Sequence, residues 1–221
     1  LSGYIVCAKS PSCGMERVRV YESGSTNSSK NGIGIFTQEL MRKMPWLPIE
    51  EDGRLCDPAL RENFIARIYA LHELNQLGNT HLTRGALLAF HSRYKLLLLS
   101  HGQRQYHELG QFVAGIGQWD SLNNFFYEYR HRLMTVMSYQ ASRQGHTQVI
   151  QHIHGYFSRH LTSSQRNELT QLIEHYRQGH QPLLSPITLL KHYLAQYPNV
   201  YLSQQCYFDP YPDVLRLRYG I

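Results

Sequence analysis

The sequence predicts an α/β amino-terminal portion followed by an all-α helical domain. In residues 1–79, short apolar runs typical of strands alternate with helical patterns, as in α/β architectures. From residue 80 onward, apolar residues recur only at helical spacing. The charge balance changes at the same place, because residues 1–79 contain 9 Lys and Arg and 9 Asp and Glu, whereas residues 80–221 contain 13 and 7. We therefore expect two domains, residues 1–79 and residues 80–221.

The amino-terminal elements are predicted from apolar runs and from the residues that interrupt them. Strands are predicted at residues 4–9, 17–21 and 47–49, a polar loop at 23–32 and a short helix at 35–44. Pro45 ends that helix. Asp57 and Pro58 predict the start of a long helix, with a capping side chain followed by proline at the first helical position. This helix is expected to reach about Leu77.

The second portion is predicted to consist of helices and a carboxyl-terminal tail. Helical spacing is found at Leu87, His91, Tyr94 and Leu98, then across residues 109–116, and over residues 120–140. Thr162 and Gln165 form a capping-box pattern for a helix that Gly179 ends. Ser185 and Pro186 open another helix, and the aromatic tail at residues 201–218 is expected to be extended.

Composition excludes several classes of protein. A chain of 221 residues with 42% apolar and 17% charged residues can bury a core and is not disordered. Its longest aliphatic run, residues 96–99, is far too short to span a bilayer, so no membrane partner is expected. Four cysteines without a Cys-x-x-Cys pair favour a reducing cytoplasm. Cys7 and Cys206 are predicted to be buried as small apolar residues.

The charge and its chemistry favour a nucleic acid, in particular RNA, as the partner of the second portion. The net charge of +6 lies there with twelve of the thirteen His, and the whole chain contains 17 Arg against 5 Lys, with 16 Tyr. Arg contacts phosphates through a fixed fork of donors, and Tyr stacks on bases. A basic helical domain with ordinary surface arginines is the alternative.

Seven cationic side chains are candidate phosphate contacts, of which we expect about half to touch RNA because charged runs also form ordinary solvated faces. They are Arg93, Lys95, Arg104, Arg130, Arg132, Arg143 and Arg159. His91 is a further RNA-binding candidate. Like Tyr94, it falls on an apolar helical stripe and is equally consistent with a hydrogen-bonded core residue.

The loop Ser10-Pro11-Ser12-Cys13-Gly14 follows the first predicted strand. Open α/β sheets bind ligands at the carboxyl ends of their strands. Cys13 in such a loop is a candidate thiolate nucleophile or metal ligand, although a single cysteine in a turn is also compatible with an inert residue.

Four segments of the amino-terminal portion resemble the thiouracil desulfurase family: YIVCAKSPSCG at residues 4–14, GIGIF at 32–36, LPIEEDGRL at 47–55 and DPALRENF at 57–64. The resemblance implies the carboxyl half of a Rossmann-like domain. It also implies that Cys13 is one of three cysteine ligands of a 4Fe-4S cluster and that Ser10 or Ser12 lines the substrate pocket. The other two family cysteines would precede residue 1, so we expect the chain to be part of a longer protein.

Five segments of the second portion resemble the YbgA-like helical family: FHSRYK at residues 90–95, YHELG at 106–110, QHIHGYF at 151–157, YRQG at 176–179 and PLLSP at 182–186. The two families occur fused in bacterial tRNA 4-thiouridine desulfidases. The resemblance therefore implies an enzyme that replaces the sulfur of 4-thiouridine in tRNA by oxygen without net redox change, with the helical domain holding the tRNA.

Two other functions compete with this one. The chain could be a catalytically inactive fragment that binds RNA or a protein, since the expected cluster needs two more cysteines. It could also be a desulfurase of free thiolated pyrimidines. The sequence leaves the oligomeric state open.

Overall fold

The computed structural model describes residues 1–21 and 27–220, with the side chains of residues 219 and 220 not described. The amino-terminal elements are strands β1 (Tyr4–Val6), β2 (Val18–Tyr21) and β3 (Ser28–Gly32), helix α1 (Ile35–Lys43) and strand β4 (Ile49–Glu51). The strands form two separate two-stranded sheets in this part of the chain. β1 pairs with β4 in parallel, with Val6 opposite Glu51, and β2 pairs with β3 in antiparallel fashion.

The helices that follow are α2 (Pro58–Thr80), α3 (Arg84–His101), α4 (Gln103–Ala114), α5 (Leu122–Ser138), α6 (Arg143–Phe157), α7 (Ser163–Gln178), α8 (Leu184–Gln196) and the short α9 (Val200–Ser203). These bounds confirm the layout of an α/β start followed by helices. No helix within the described residues is both long enough and apolar enough to cross a bilayer.

The predicted helix boundaries rest on capping residues that the structure confirms. The Asp57 carboxylate accepts hydrogen bonds from the backbone N–H groups of Ala59 and Leu60, at 2.9 Å each, where α2 begins. Thr162 and Gln165 form the complete capping box of α7. Gly179 ends α7 in the left-handed conformation, with φ of 86°.

Helix α2 joins the two portions. It packs against α5, while α3 packs against α4 and α6, and α7 packs between α6 and α8. One apolar core runs from Val6 and Ile49 of the parallel strands through the helices to Tyr211. The domain boundary between residues 79 and 80 remains a prediction. Helix α2 was assigned to the first domain, but its buried face packs against α5 of the second.

Several expectations from the sequence are wrong. Within the predicted polar loop at 23–32, residues 28–32 form β3, because β2 supplies the backbone partners that the polar side chains do not; residues 23–26 lie outside the described residues. The tail is not extended: α9 and tight turns place Tyr207 and Tyr211 in the core. Cys7 is exposed rather than buried, because β1 ends at Val6.

Candidate functional site

The loop between β1 and β2 is closed by its own backbone and anchored to the start of α1. Gly14 N–H donates to the carbonyl of Ser10 at 2.8 Å. The first backbone N–H groups of α1, which no side chain caps, donate instead to loop carbonyls: Ile35 to Pro11 at 3.2 Å and Phe36 to Ser12 at 2.9 Å. The unsatisfied donors of a helix start are thereby satisfied by the loop that contains Cys13.

Gly34 is required by the close approach of these two segments. A Cβ atom at this position would lie 2.5 Å from the backbone nitrogen of Cys13. On the same side, the buried hydroxyl of Thr37 donates to the carbonyl of Cys13 at 2.7 Å. Backbone angles in the left-handed region occur at the flanks of the loop, where Lys9 and Arg17 have φ of 61° and 55°. The backbone of the loop is therefore held by the start of α1, and the Cys13 side chain is partly exposed.

The Cys13 thiol lies between two hydroxyl groups. Its Sγ atom is 3.5 Å from Ser10 Oγ and 3.5 Å from Ser12 Oγ, and the Cys13 N–H donates to Ser10 Oγ at 3.3 Å. Hydrogen bonds from Ser10 and then Ser12 stabilise the thiolate and lower the pKa of Cys13. A partly exposed thiol with a lowered pKa is a soft nucleophile and a soft metal ligand. The structure thus brings together the three predicted residues of this loop.

The described residues do not by themselves fit a 4Fe-4S cluster. Such a cluster is held by several cysteine thiolates. Cys7 and Cys56 are exposed, Cys206 is half-buried, and no group of three or more His, Cys, Asp or Glu side chains that could share a metal is found in residues 1–21 and 27–220. This part of the chain offers a single placed thiolate, Cys13.

Sequence reasoning missed a charged group at the same sheet edge. Because β1 and β4 are parallel, Glu51 ends its strand beside the strand that leads into the Cys13 loop. Glu51 is 2% exposed, its Oε1 atom has no hydrogen-bond partner, and its Oε2 atom lies 3.9 Å from the guanidinium of Arg17. Arg54 contacts Glu50 at 2.7 Å and Glu16 at 3.1 Å. The only sequence signal was the pair of acidic residues after an apolar strand.

Four of the seven candidate phosphate contacts already have partners within the chain. Arg93 forms an ion pair with Glu73, Arg104 with Glu108 at 2.8 Å and Arg132 with Glu128 at 2.6 Å. Arg143 donates to the carbonyl of Tyr176 at 2.7 Å. Exposed ion pairs contribute little to stability, so Arg104 and Arg132 can exchange partners more readily than the anchored Arg143.

The other three candidates have no carboxylate partner among the described residues. Arg130 lies 3.8 Å over the ring of Trp46 and donates to Asn75 at 3.3 Å, and burial lowers its pKa. It therefore connects the amino-terminal portion to α2 and α5. Arg159 is exposed, and Lys95 is half-buried at a groove between α3 and α4.

His91 is a hydrogen-bonded core residue that also reaches this groove. It is 3% exposed, and its Nδ1 atom lies 3.2 Å from the hydroxyl of the fully buried Tyr129. Burial, with a smaller contribution from Lys95, lowers the pKa of His91 to about 4. Tyr94 donates to Glu73 at 2.8 Å, so both residues of the apolar stripe have a hydrogen-bond partner inside the protein.

Comparisons with known proteins match the two portions separately. Residues 1–52 match the family model described as 2-thiouracil desulfurase, and residues 95–212 match the model described as protein of unknown function (DUF1722). The chain is 48% identical over 159 residues to uncharacterized protein YbgA of Escherichia coli (strain K12), covering 72% of this chain and 94% of that protein. No solved structure matches. On these matches, the chain belongs to the DUF1722 family and is similar to YbgA, and its amino-terminal segment is similar to 2-thiouracil desulfurases.

Proposed function

We propose that the protein to which this chain belongs removes sulfur from 4-thiouridine in tRNA, with the helical portion of the chain binding the tRNA. The observation that carries the proposal is the Cys13 thiol, whose pKa is lowered by two hydroxyl groups, inside the segment similar to 2-thiouracil desulfurases. The net reaction exchanges atoms without redox change. Water supplies the oxygen of the new carbonyl, and the sulfur of the thiocarbonyl leaves as hydrogen sulfide.

Within this proposal, Cys13 contributes one thiolate ligand to a 4Fe-4S cluster. The other ligands of the cluster come from outside the described residues. The loop's own residues contribute position and charge. The carbonyls of Pro11 and Ser12 hold α1, and the hydroxyls of Ser10 and Ser12 face the thiol. The buried Glu51 at the same sheet edge adds a carboxylate with one unpartnered oxygen.

The cluster assignment is tested on protein produced anaerobically from the native gene. We expect iron, acid-labile sulfide and the visible absorbance of a cluster, all lost in Cys13→Ser and retained in the control Cys7→Ser. For the 221-residue chain alone we expect no stable cluster after reconstitution. Unchanged iron content in Cys13→Ser would remove Cys13 from the proposed site.

The substrate is tested by comparing thiolated tRNA with free 4-thiouridine monophosphate. Conversion of the tRNA alone supports the proposal, whereas equal or better conversion of the free nucleotide supports a desulfurase of free thiolated pyrimidines. A cytoplasmic location follows from a tRNA substrate and is part of the same proposal.

The RNA interaction is tested by the dependence of tRNA affinity on salt. Each neutralised phosphate contributes a slope of roughly −0.7 to −0.9 in a plot of log affinity against log salt, so three contacts give about −2 to −3. Arg159→Gln removes a cation that has no carboxylate partner in the described part of the chain, and it should reduce the slope by about 0.7–0.9. Arg42→Gln, in the electrically neutral amino-terminal portion, serves as the control, because Arg42 is paired with Glu39.

A binding module without catalysis is the second candidate, and the single placed thiolate favours it. In that case the chain binds tRNA with the same salt dependence, but neither the native protein nor this chain releases sulfide from thiolated tRNA. If the chain binds no tRNA at low salt, the helical portion binds a protein instead.

A further inference from the structure

A groove of about 570 Å³ lies between α3 and α4, on the helical portion. Small-molecule sites in proteins typically occupy 300–1,000 Å³. Its walls include Leu88, His91 and Lys95 from α3 and Tyr106, Gly110 and Val113 from α4. None of the residues described as lining it is acidic, so the groove presents an apolar surface with cationic and neutral polar groups at its edges.

Lys95 supplies the positive charge of the groove. Lys95 is half-buried, and its ammonium group has no carboxylate within 4 Å among the described residues. The neighbouring cations Arg93 and Arg104 are both satisfied by glutamates. An ammonium group at a groove that has no carboxylate partner among the described residues is available to pair with an anion.

His91 supplies a hydrogen-bond donor. The hydroxyl of Tyr129 is buried, and its hydrogen has one acceptor in reach among the described residues, the Nδ1 atom of His91. A buried hydroxyl is expected to donate, and in neutral imidazole one nitrogen accepts while the other carries the proton. This pairing assigns the proton of His91 to Nε2, the nitrogen that remains available to the groove.

Aromatic side chains continue from one end of the groove. Tyr106 lines it, and the rings of Tyr156 and Tyr201 stack with their centroids 5.8 Å apart. Burial and then the nearby Tyr156 raise the pKa of Tyr106, and burial followed by Tyr156 and Tyr106 raises the pKa of Tyr201. A phenol face accepts a nucleobase of any sequence. At Gly110, a Cβ atom would meet no atom within 4 Å, so the helix wall there leaves room for a ring.

We propose that the α3–α4 groove binds one nucleotide unit of RNA. The phosphate contacts the Lys95 ammonium, the ring lies on the apolar wall formed by Leu88 and Val113, and a base or ribose oxygen accepts a hydrogen bond from Nε2 of His91. The inference rests on the proposed function for RNA as the source of the nucleotide, whereas binding of a mononucleotide is independent of it.

Uridine 5′-monophosphate is the probe, titrated into the 221-residue chain and followed by calorimetry and by the NMR signals of the His ring protons. We expect saturable binding with a perturbed His91 signal, competition by inorganic phosphate, and at least tenfold weaker binding of uridine. Lys95→Gln should weaken binding of the monophosphate about tenfold, the range of one charge-assisted hydrogen bond, and leave uridine binding unchanged.

Gly110→Leu fills the groove from an open position and should abolish monophosphate binding. Gly53→Leu is the matched control. A Cβ atom at Gly53 also meets nothing within 4 Å, but Gly53 lies in the amino-terminal portion and does not line the groove. Circular dichroism of both variants verifies the fold, and Lys95→Gln keeps the test decisive if Gly110→Leu does not fold.

The outcomes separate this inference from the proposed function. The wild-type protein could bind tRNA while Gly110→Leu and Lys95→Gln bind both tRNA and the monophosphate with wild-type affinity. That result overturns the groove assignment and leaves RNA binding in place. If the monophosphate binds in the groove but tRNA does not bind at all, the groove stands and the tRNA function is wrong. Absence of monophosphate binding to the wild type overturns the groove.

Discussion

The two portions of the chain hold their chemistry in place by different means. In the helical portion, large side chains such as Tyr129 and Phe125 are fully buried, and polar atoms such as Nδ1 of His91 are fixed by partners inside the core. In the amino-terminal portion, Ile35 and Phe36 are 76% and 51% exposed, and the Cys13 loop is fixed by backbone hydrogen bonds to α1. The position of a side chain is therefore determined by core packing in the helical portion and by local backbone hydrogen bonds in the amino-terminal portion.

The largest expected change in the free energy of unfolding comes from breaking the close contact between α3 and α6. At Gly145, a Cβ atom would collide with the backbone oxygen of Ser100, which cannot move without shifting α3. Gly145→Val should therefore cost about 3 kcal/mol of unfolding free energy, the upper end of the usual cost of overpacking a core. Urea denaturation followed by circular dichroism measures the loss.

Gly155→Ala on the same helix is the control for this prediction. A Cβ atom there meets nothing within 4 Å, so alanine should be neutral or stabilise the helix by up to about 1 kcal/mol. Equal stability of Gly145→Val and Gly155→Ala would show that the helical portion is not packed as described.

The second effect is a loss of stability in acid that originates in the helical portion. Unfolded His takes up a proton below about pH 6.5, whereas folded His91 stays neutral down to about pH 4. Protons therefore favour the unfolded state in this window, and the stability present above pH 6.5 falls by about 2 kcal/mol at pH 5 from His91 alone. His101 and His146, whose pKa values burial also lowers, act in the same direction.

His91→Gln tests the assignment, since glutamine can still bond the Tyr129 hydroxyl but does not titrate. The difference in unfolding free energy between pH 7 and pH 5 should shrink by about 2 kcal/mol in this variant. An unchanged difference would mean that other groups cause the acid sensitivity.

The smallest effect concerns the reactivity of the amino-terminal loop and leaves stability unchanged. Ser10 makes the largest contribution to the lowered pKa of Cys13, so Ser10→Ala should raise that pKa and slow alkylation of Cys13 by iodoacetamide at neutral pH. Peptide mass spectrometry follows the rate, with alkylation of the exposed Cys7 as an internal reference. A rate that falls equally at Cys7 and Cys13 would point to a general change in structure instead.

The sequence predicted those features that local rules determine. Asp57 and Pro58, and Thr162 with Gln165, marked helix starts because capping is decided within four residues. The same rules could not predict β3, whose polar residues form a strand because of pairing with β2. They also missed the burial of the tail, where Tyr207 meets His146 from a helix sixty residues earlier, with 3.0 Å between the hydroxyl and Nδ1.

The candidate site shows the same division. Cys13 was a candidate from its place in a loop after a strand, whereas Ser10 and Ser12 were identified through the resemblance of their segment to the thiouracil desulfurase family. Glu51 was missed because only the parallel pairing of β1 and β4 brings it to the same edge. The partners of Arg93 and Arg143 lie 20 and 33 residues away, so the sequence could list these cations but could not tell which of them were engaged.

The close approach of Gly34 to Cys13 means that the pentapeptide at residues 10–14 is not a transferable unit. Its shape is completed by α1, some twenty residues downstream, through Gly34 and Thr37. A synthetic peptide or a graft that contains only these five residues keeps both hydroxyl groups. It loses the contacts with Gly34 and Thr37 that hold the loop in the conformation in which the hydroxyls lie beside the thiol. Proteins that contain Ser-Pro-Ser-Cys-Gly without a glycine and a threonine in the following helix start should therefore have an ordinary cysteine in that position.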